Sequence, residues 1–273
     1  MVDLEALDRE GLFARPPEAA PVTPVASDFY HFMHVPGLGH VGGSWDLRSN
    51  LDIYLGRTSY AGKVVLDVGA SDGFLAFEME KREARVVSID LPIDSLPDLF
   101  PLANGVGHAP AAPNLHRRRH AFWVGHRAFG SAVRLHESHA GRLDPRLTGF
   151  DVAIIGNVLQ HLRDPIGVLL DVSTRARTIV ITEADWKAGT WDAFPVMTLF
   201  TEHIRRGHRG SWYMVSPRLI EDVLSLTGFT IEGRDIHEQP FTDSSGNTYP
   251  VRHYTITATR NGAEAVEYPE SQV

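Results

Sequence analysis

The chain reads as an α/β protein built on a mostly parallel sheet. Three observations predict this. Short, almost wholly apolar runs alternate with helical patterns; a glycine-bounded turn, Gly69-Ala-Ser-Asp-Gly73, separates the first such run from a helix; and an aspartate, Asp90, closes the second run. Strands that are apolar on both faces belong in a sheet covered on both sides, and helices between them supply the cover.

Taken in order, residues 1–27 include the proline- and alanine-rich stretch Arg15-Pro-Pro-Glu-Ala-Ala-Pro-Val-Thr-Pro and predict an extended arm. Residues 63–68 (Lys-Val-Val-Leu-Asp-Val) predict a strand, residues 74–83 a helix with Phe74 and Phe77 on one face, and residues 85–89 a second strand. Residues 150–155 and 178–182 predict two more strands, with an apolar helix at 166–172 between them. Ser216-Pro217 is an N-cap followed by proline at the first helical position, and Gly228 marks that helix's end. Residues 251–259 alternate, with Val251, Tyr254, Ile256 and Ala258 inward, which predicts a final strand paired in a hairpin across 244–247. The segments 92–130 and 184–215 fit no clear element, although the second carries three of the five tryptophans. Residues 261–273, polar and acidic, predict a disordered tail.

Composition narrows the function. The 273 residues are 43% hydrophobic and 22% charged, ordinary globular values. The chain has no cysteine, which excludes a disulfide scaffold, a cysteine nucleophile, an iron–sulfur cluster and a thiolate zinc site. It shows neither a secretory signal nor a membrane-spanning run, so a soluble, cytoplasmic protein is expected. A net charge of −8 opposes general affinity for nucleic acid or acidic membranes, while leaving room for a local basic patch.

The chemistry concentrates after the first strand. Glycines in such a turn let a ligand approach the backbone, but position 71 is serine where a pyrophosphate wants glycine, which argues against NAD or FAD. Asp72 adds negative charge and favours a cationic or zwitterionic ligand. Asp90 stands 23 positions after Asp67, the spacing at which a carboxylate reaches ribose hydroxyls. Separately, a glycine turn is often only a turn and an aspartate after a strand only a helix cap. Together, the absence of a phosphate loop, a ribose anchor and a preference for positive charge describe S-adenosylmethionine.

Residues 65–80 (Val-Leu-Asp-Val-Gly-Ala-Ser-Asp-Gly-Phe-Leu-Ala-Phe-Glu-Met-Glu) with 87–91 (Val-Ser-Ile-Asp-Leu) resemble the class I S-adenosylmethionine-dependent methyltransferases. The closer resemblance is to the subgroup of tRNA wobble-uridine carboxymethyltransferase-like enzymes and related small-molecule and sugar O-methyltransferases. It is carried also by Phe29-Tyr-His31, Trp45-Asp46 with Arg48, and residues 157–165 (Asn-Val-Leu-Gln-His-Leu-Arg-Asp-Pro). The resemblance implies a Rossmann-like sheet of seven strands with the last antiparallel, a methyltransferase domain over 28–260, and a lid or acceptor-pocket insert at 184–215. It implies that Gly69, Ala70, Asp72 and Gly73 cradle the methionine part, that Asp90 holds the ribose with Asp67 and Leu91 beside it, that His139 and Ala140 meet the adenine, and that Gly156 and Asn157 face the sulfonium. It also implies that Tyr30, His31, Trp45 and Arg48 fold over the cofactor from the amino-terminal side.

Methyl transfer to a hydroxyl needs a positioned acceptor and a base. His161, just after the fourth strand, is the best-placed of 14 histidines, with a structural role in its loop as the competing reading. Glu183 and Asp185, at the rim after the fifth strand, are candidate bases, clamps or ligands of a magnesium ion, for which no spacing here is diagnostic. Trp186, Trp191, Trp212 and Tyr213 are each most simply packing residues and collectively candidate walls of an acceptor pocket. The favoured function is methylation of a hydroxyl on a small, sugar-like molecule. The alternatives are tRNA wobble-base modification, favoured by the basic runs 116–120 and 205–209, and a non-catalytic cofactor-binding protein; a homo-oligomer is compatible with all three.

Overall fold

The computed structural model describes residues 2–17, 28–95, 99–101, 112–187, 189, 191–206, 208–260 and 262, with the side chains of 112–114 left aside. The first half of the chain forms α1 (Leu4–Arg9), β1 (Met33–Val35), β2 (Gly39–Val41), α2 (Leu51–Tyr54), β3 (Val64–Val68), α3 (Phe74–Glu80), β4 (Arg85–Asp90), α4 (Ala112–Phe129) and β5 (Arg134–Glu137). The second half forms β6 (Phe150–Gly156), α5 (Pro165–Ser173), β7 (Ala176–Ala184), β8 (Met197–Leu199), α6 (Thr201–Arg205), β9 (Tyr213–Val215), α7 (Pro217–Leu226), β10 (Phe229–Thr242) and β11 (Thr248–Arg260).

The main sheet has seven strands in the order β10-β11-β7-β6-β3-β4-β5. The five from β7 to β5 run parallel, and β11, the last strand of the chain, runs antiparallel to both of its neighbours, as expected. β3 shows why the sheet needs cover on both sides: Val64, Leu66 and Val68 join the core on one face, while Val65 joins the core on the other. Each such fully buried aliphatic contributes roughly 1.5–3 kcal/mol.

The N-cap expected at Ser216 forms, and a second one stands at Asp164. The Asp164 carboxylate accepts from the Gly167 N–H at 2.8 Å ahead of Pro165, and the Ser216 hydroxyl accepts from the Leu219 N–H at 3.2 Å ahead of Pro217. Gly228 ends α7 with φ +88°. The β10–β11 hairpin turns on Asp243, whose carboxylate accepts from the Ser245 and Asn247 N–H groups at 2.9 Å.

Four expectations change. The arm over 1–27 is not simply extended: Asp3 caps α1, Leu4, Leu7 and Phe13 enter the core, and Ala14 bridges Leu135, covering the exposed edge of β5. Residues 18–27 and the tail, apart from 262, lie outside the described residues. The helix expected over 74–83 stops at Glu80. Within 92–130 stands the 18-residue α4. Its buried face carries Arg119 beside Phe122, so a charge occupies a core position and hides the apolar stripe. Within 184–215, β8 and β9 pair antiparallel and enclose α6, forming a small cap next to the carboxyl ends of β6 and β7.

Candidate active site

The loop from β3 to α3 bends through positive φ at Gly69 (+97°), Ser71 (+50°) and Gly73 (+87°). The Gly69 and Ala70 N–H groups both donate to the Ile89 carbonyl at 2.9 Å. Asp90 pins the next step: one oxygen accepts from the Ser71 N–H and the other from the Leu91 N–H, each at 2.8 Å. A Cβ on Gly69 would lie 2.5 Å from Val158 Cγ2, and one on Gly73 would lie 2.5 Å from Phe77. Backbone conformation and protein neighbours therefore both require glycine at these two positions. Ser71 holds a conformation that costs a non-glycine residue about 1–2 kcal/mol, and its buried hydroxyl has no hydrogen-bond partner among the described residues. Asp67 lies beneath the loop, accepts from the Ser88 hydroxyl at 2.8 Å, and has its pKa pushed up to about 7, chiefly by burial.

Asp72 has no exposed surface, and its carboxylate is engaged within the protein. One oxygen accepts from the Tyr30 and His31 N–H groups at 2.8 Å each, and the other accepts from His31 Nδ1 at 2.6 Å. Burial raises its pKa, but the His31 charge and these donors outweigh burial and leave it below the ordinary value. Asp72 is thus a latch that fastens residues 30–31 to the β3–α3 loop. His31 stacks on Phe74, and the Trp45 indole donates to the Tyr30 hydroxyl at 2.9 Å. Trp45 is itself buried and packs against Phe241 and His253. Arg48 is engaged by Asp46 through two contacts of 2.7 Å and stands apart from this group.

At the carboxyl end of β6, Gly156 packs close to Tyr54 and Leu75, and Asn157 takes φ +55°. The Asn157 amide donates to His253 Nε2 at 2.9 Å, because His253 Nδ1 donates to the Val251 carbonyl at 2.8 Å. Burial pushes the His253 pKa down to about 4, so the ring stays neutral and the arrangement is fixed. Asn157 Oδ1 is buried with no partner among the described residues.

Glu183 and Asp185 are not free groups. Glu183 accepts from the Val158 and Leu159 N–H groups at 2.9 and 2.8 Å, tying down the turn that carries His161, and burial pushes its pKa up to about 8. Asp185 accepts from Arg252 Nε at 2.8 Å. Among the described residues no cluster of metal-ligating side chains is present.

His161 is different. Nδ1 donates to the Gly210 carbonyl at 2.7 Å, which leaves Nε2 as the lone-pair nitrogen. The residue is exposed, yet desolvation by surrounding protein lowers its pKa and the Arg118 charge adds to the effect. Trp186 lies beside it, exposed, its indole donating to Gln160 at 3.3 Å. Trp212 is buried against Phe100 and packs the cap instead of lining an open pocket. Trp191 is half-buried, and Tyr213 on β9 packs against the core. His139 and Ala140 follow β5, where the Ser138 N–H donates to the Asp90 carbonyl at 2.8 Å and draws that turn beside β4.

Sequence reasoning missed Arg118 and Arg119. Arg119 is buried, pairs with Glu137 and donates to the Leu91 carbonyl at 2.9 Å. The Arg118 guanidinium sits 3.9 Å from the Tyr30 ring centroid. Both lay in a run that reads as a solvated basic face, and only burial separates them.

No family model matches the chain, and no curated protein matches it. Solved structures do. A candidate methyltransferase from Bacillus halodurans C-125 superposes with a TM-score of 0.55 at 14% identity, over 78% of this chain and 100% of that one. The N-terminal domain of EvdMO1, crystallised in the presence of SAH (S-adenosylhomocysteine) and D-fucose, gives 0.53 at 15% identity over 86% and 93%. Magnesium protoporphyrin IX methyltransferase from Synechocystis PCC 6803, with bound SAH, gives 0.50 at 15% identity over 79% and 82%. The chain has the Rossmann-like fold of class I S-adenosylmethionine-dependent methyltransferases.

Proposed function

We propose that this protein is an S-adenosylmethionine-dependent methyltransferase acting in the cytoplasm on a hydroxyl of a small, sugar-like acceptor, with His161 as general base. The observation that carries the reading is the 2.7 Å bond from His161 Nδ1 to the Gly210 carbonyl, which leaves an unprotonated Nε2 on an exposed residue in the turn after β6. The lowered pKa keeps that nitrogen unprotonated at neutral pH.

The residues present fit the cofactor. Each Asp90 oxygen accepts one backbone N–H and keeps acceptor capacity for a ribose hydroxyl. The unpartnered Ser71 hydroxyl and Asn157 Oδ1 stand on the loops that flank the cofactor site of this fold. We assign the adenine to His139 and Ala140, because the turn after β5 is drawn beside Asp90. When bound, S-adenosylmethionine supplies a methyl group already activated by its sulfonium. The protein then has to align the acceptor hydroxyl and take its proton at His161 Nε2.

D-fucose in the crystals of the EvdMO1 domain supports a sugar-like acceptor. The tRNA reading loses part of its basic surface: Arg119 pairs with Glu137 and His120 with Asp28 in the first run, and Arg205 and Arg206 share Glu202 in the second.

The test is transfer of labelled methyl from S-adenosylmethionine into RNA, glycan and small-metabolite fractions. His161→Ala should lower turnover by about 10²–10⁴ and leave cofactor affinity within a few fold. In the wild type the rate should rise with pH through a value below 6.5 and then level off. Label appearing in RNA, or an unchanged rate in His161→Ala, would overturn the reading.

A further inference from the structure

Arg118 stands out within its run. Its neighbours on α4 are spent: Arg119 on Glu137 and the Leu91 carbonyl, His120 on Asp28. Arg118 forms no ion pair among the described residues, although it is only partly exposed. Its guanidinium is instead held 3.9 Å from the centroid of Tyr30. Tyr30 is itself fixed twice, by its N–H to Asp72 and by its hydroxyl to the Trp45 indole. Stacking on an aromatic face engages the π system of a guanidinium and leaves its N–H fork open for a carboxylate or phosphate.

The location is defined by bonded neighbours. Arg119 ties this turn of α4 to Leu91, next to Asp90, and Tyr30 ties Arg118 to the β3–α3 loop. The charge of Arg118 acts on both Asp90 and His161, so both groups lie within its electrostatic reach. Two of the carboxylates around it are paired elsewhere, Asp72 with His31 and Glu137 with Arg119, and Asp90 is reserved for the ribose. An arginine that is preorganised, partly withdrawn from water and unpaired is built to receive an anion.

We infer that Arg118 is the anion-recognition residue of the acceptor site, so that the acceptor carries a carboxylate or phosphate group beside the hydroxyl that is methylated. This rests on the methyltransferase reading and narrows its acceptor to an acidic, sugar-like molecule. It also couples binding to catalysis. An anion seated on Arg118 cancels the positive charge that lowers the proton affinity of His161, so the base strengthens as the acceptor arrives.

The test is titration of the full chain with inorganic phosphate, and separately with acetate, following the His161 imidazole by NMR across pH. In the wild type either anion should bind saturably and raise the His161 pKa. Arg118→Gln should raise that pKa without any anion and weaken anion binding by about tenfold or more, the loss expected on removing a charge-assisted donor pair. Arg118→Lys, which keeps the charge, should retain most of the binding. Saturation by phosphate but not acetate would assign a phosphorylated acceptor, and the reverse a carboxylate. No saturable shift in the wild type, or the same shift in Arg118→Gln, would overturn the inference. Calorimetry with S-adenosylhomocysteine separates the two levels: anion binding without cofactor binding would sink the methyltransferase reading alone. A tenfold loss of S-adenosylhomocysteine affinity in Arg118→Gln would place the anion on the cofactor instead and overturn the acceptor assignment.

Discussion

Replacing Asp72 by alanine should release the amino-terminal segment from the site. The side chain is fully buried and accepts four hydrogen bonds, from the Tyr30 and His31 N–H groups at 2.8 Å, from His31 Nδ1 at 2.6 Å and, at 3.4 Å, from the Phe74 N–H. Alanine orphans two buried N–H donors at about 1–3 kcal/mol each and removes the partner of the histidine, for a total of about 3–5 kcal/mol. At roughly 2–4 °C per kcal/mol for a chain of this size, Tm should fall by about 10 °C. Asparagine is milder, because its amide oxygen can still face the two N–H groups and its amide nitrogen can face His31 in the other tautomer; about 1–2 kcal/mol is expected. Urea midpoints measure the difference, and limited proteolysis should show cleavage opening between residues 29 and 47. The sign with pH follows from the depressed native pKa: the carboxylate's contribution is complete above the ordinary value of 3.8 and is lost as pH falls through the lower native value. The gap between wild type and Asp72→Asn should therefore stay constant at neutral pH and close only in acid. Alanine within about 0.5 kcal/mol of wild type, or alanine and asparagine alike, would refute the latch.

Glu183 predicts the opposite slope. Its native pKa near 8 means the folded state holds a proton that the unfolded state releases above 4.5, so stability falls as pH rises between the two values. Glu183→Gln keeps an oxygen for the Val158 and Leu159 N–H groups, and urea midpoints at pH 6 and 8.5 should converge in that variant. Gly69→Ala should cost more than about 2 kcal/mol, since φ is +97° and Val158 Cγ2 lies 2.5 Å from the new Cβ. Adding Val158→Ala should recover the steric part and leave the conformational part, which thermal melts of the pair would show.

The sheet was legible because its signals are local. Apolar runs at 63–68, 85–89, 150–155 and 178–182 announce buried parallel strands whatever surrounds them, and the cap at Ser216 acts within four residues of itself. The glycine turn and Asp90 were equally plain, since positive φ and strand-end position leave marks in composition and spacing. α4 was not plain, because Arg119 takes a core position only when Glu137 and the Leu91 carbonyl are folded against it.

The site's chemistry was settled by contacts between residues far apart in the chain. Asp72 reads as a ligand group until Tyr30, 42 positions away, claims it. Glu183 reads as a base until the Val158 N–H, 25 positions away, takes its oxygen. His161 has no assigned tautomer until the Gly210 carbonyl, 49 positions away, accepts from Nδ1. Residue type and periodicity determine which faces are buried, because burial is a summed, non-directional preference. Which carboxylate is spent and which nitrogen is free depends on hydrogen-bond geometry at about 3 Å, and only the packed chain brings those atoms together.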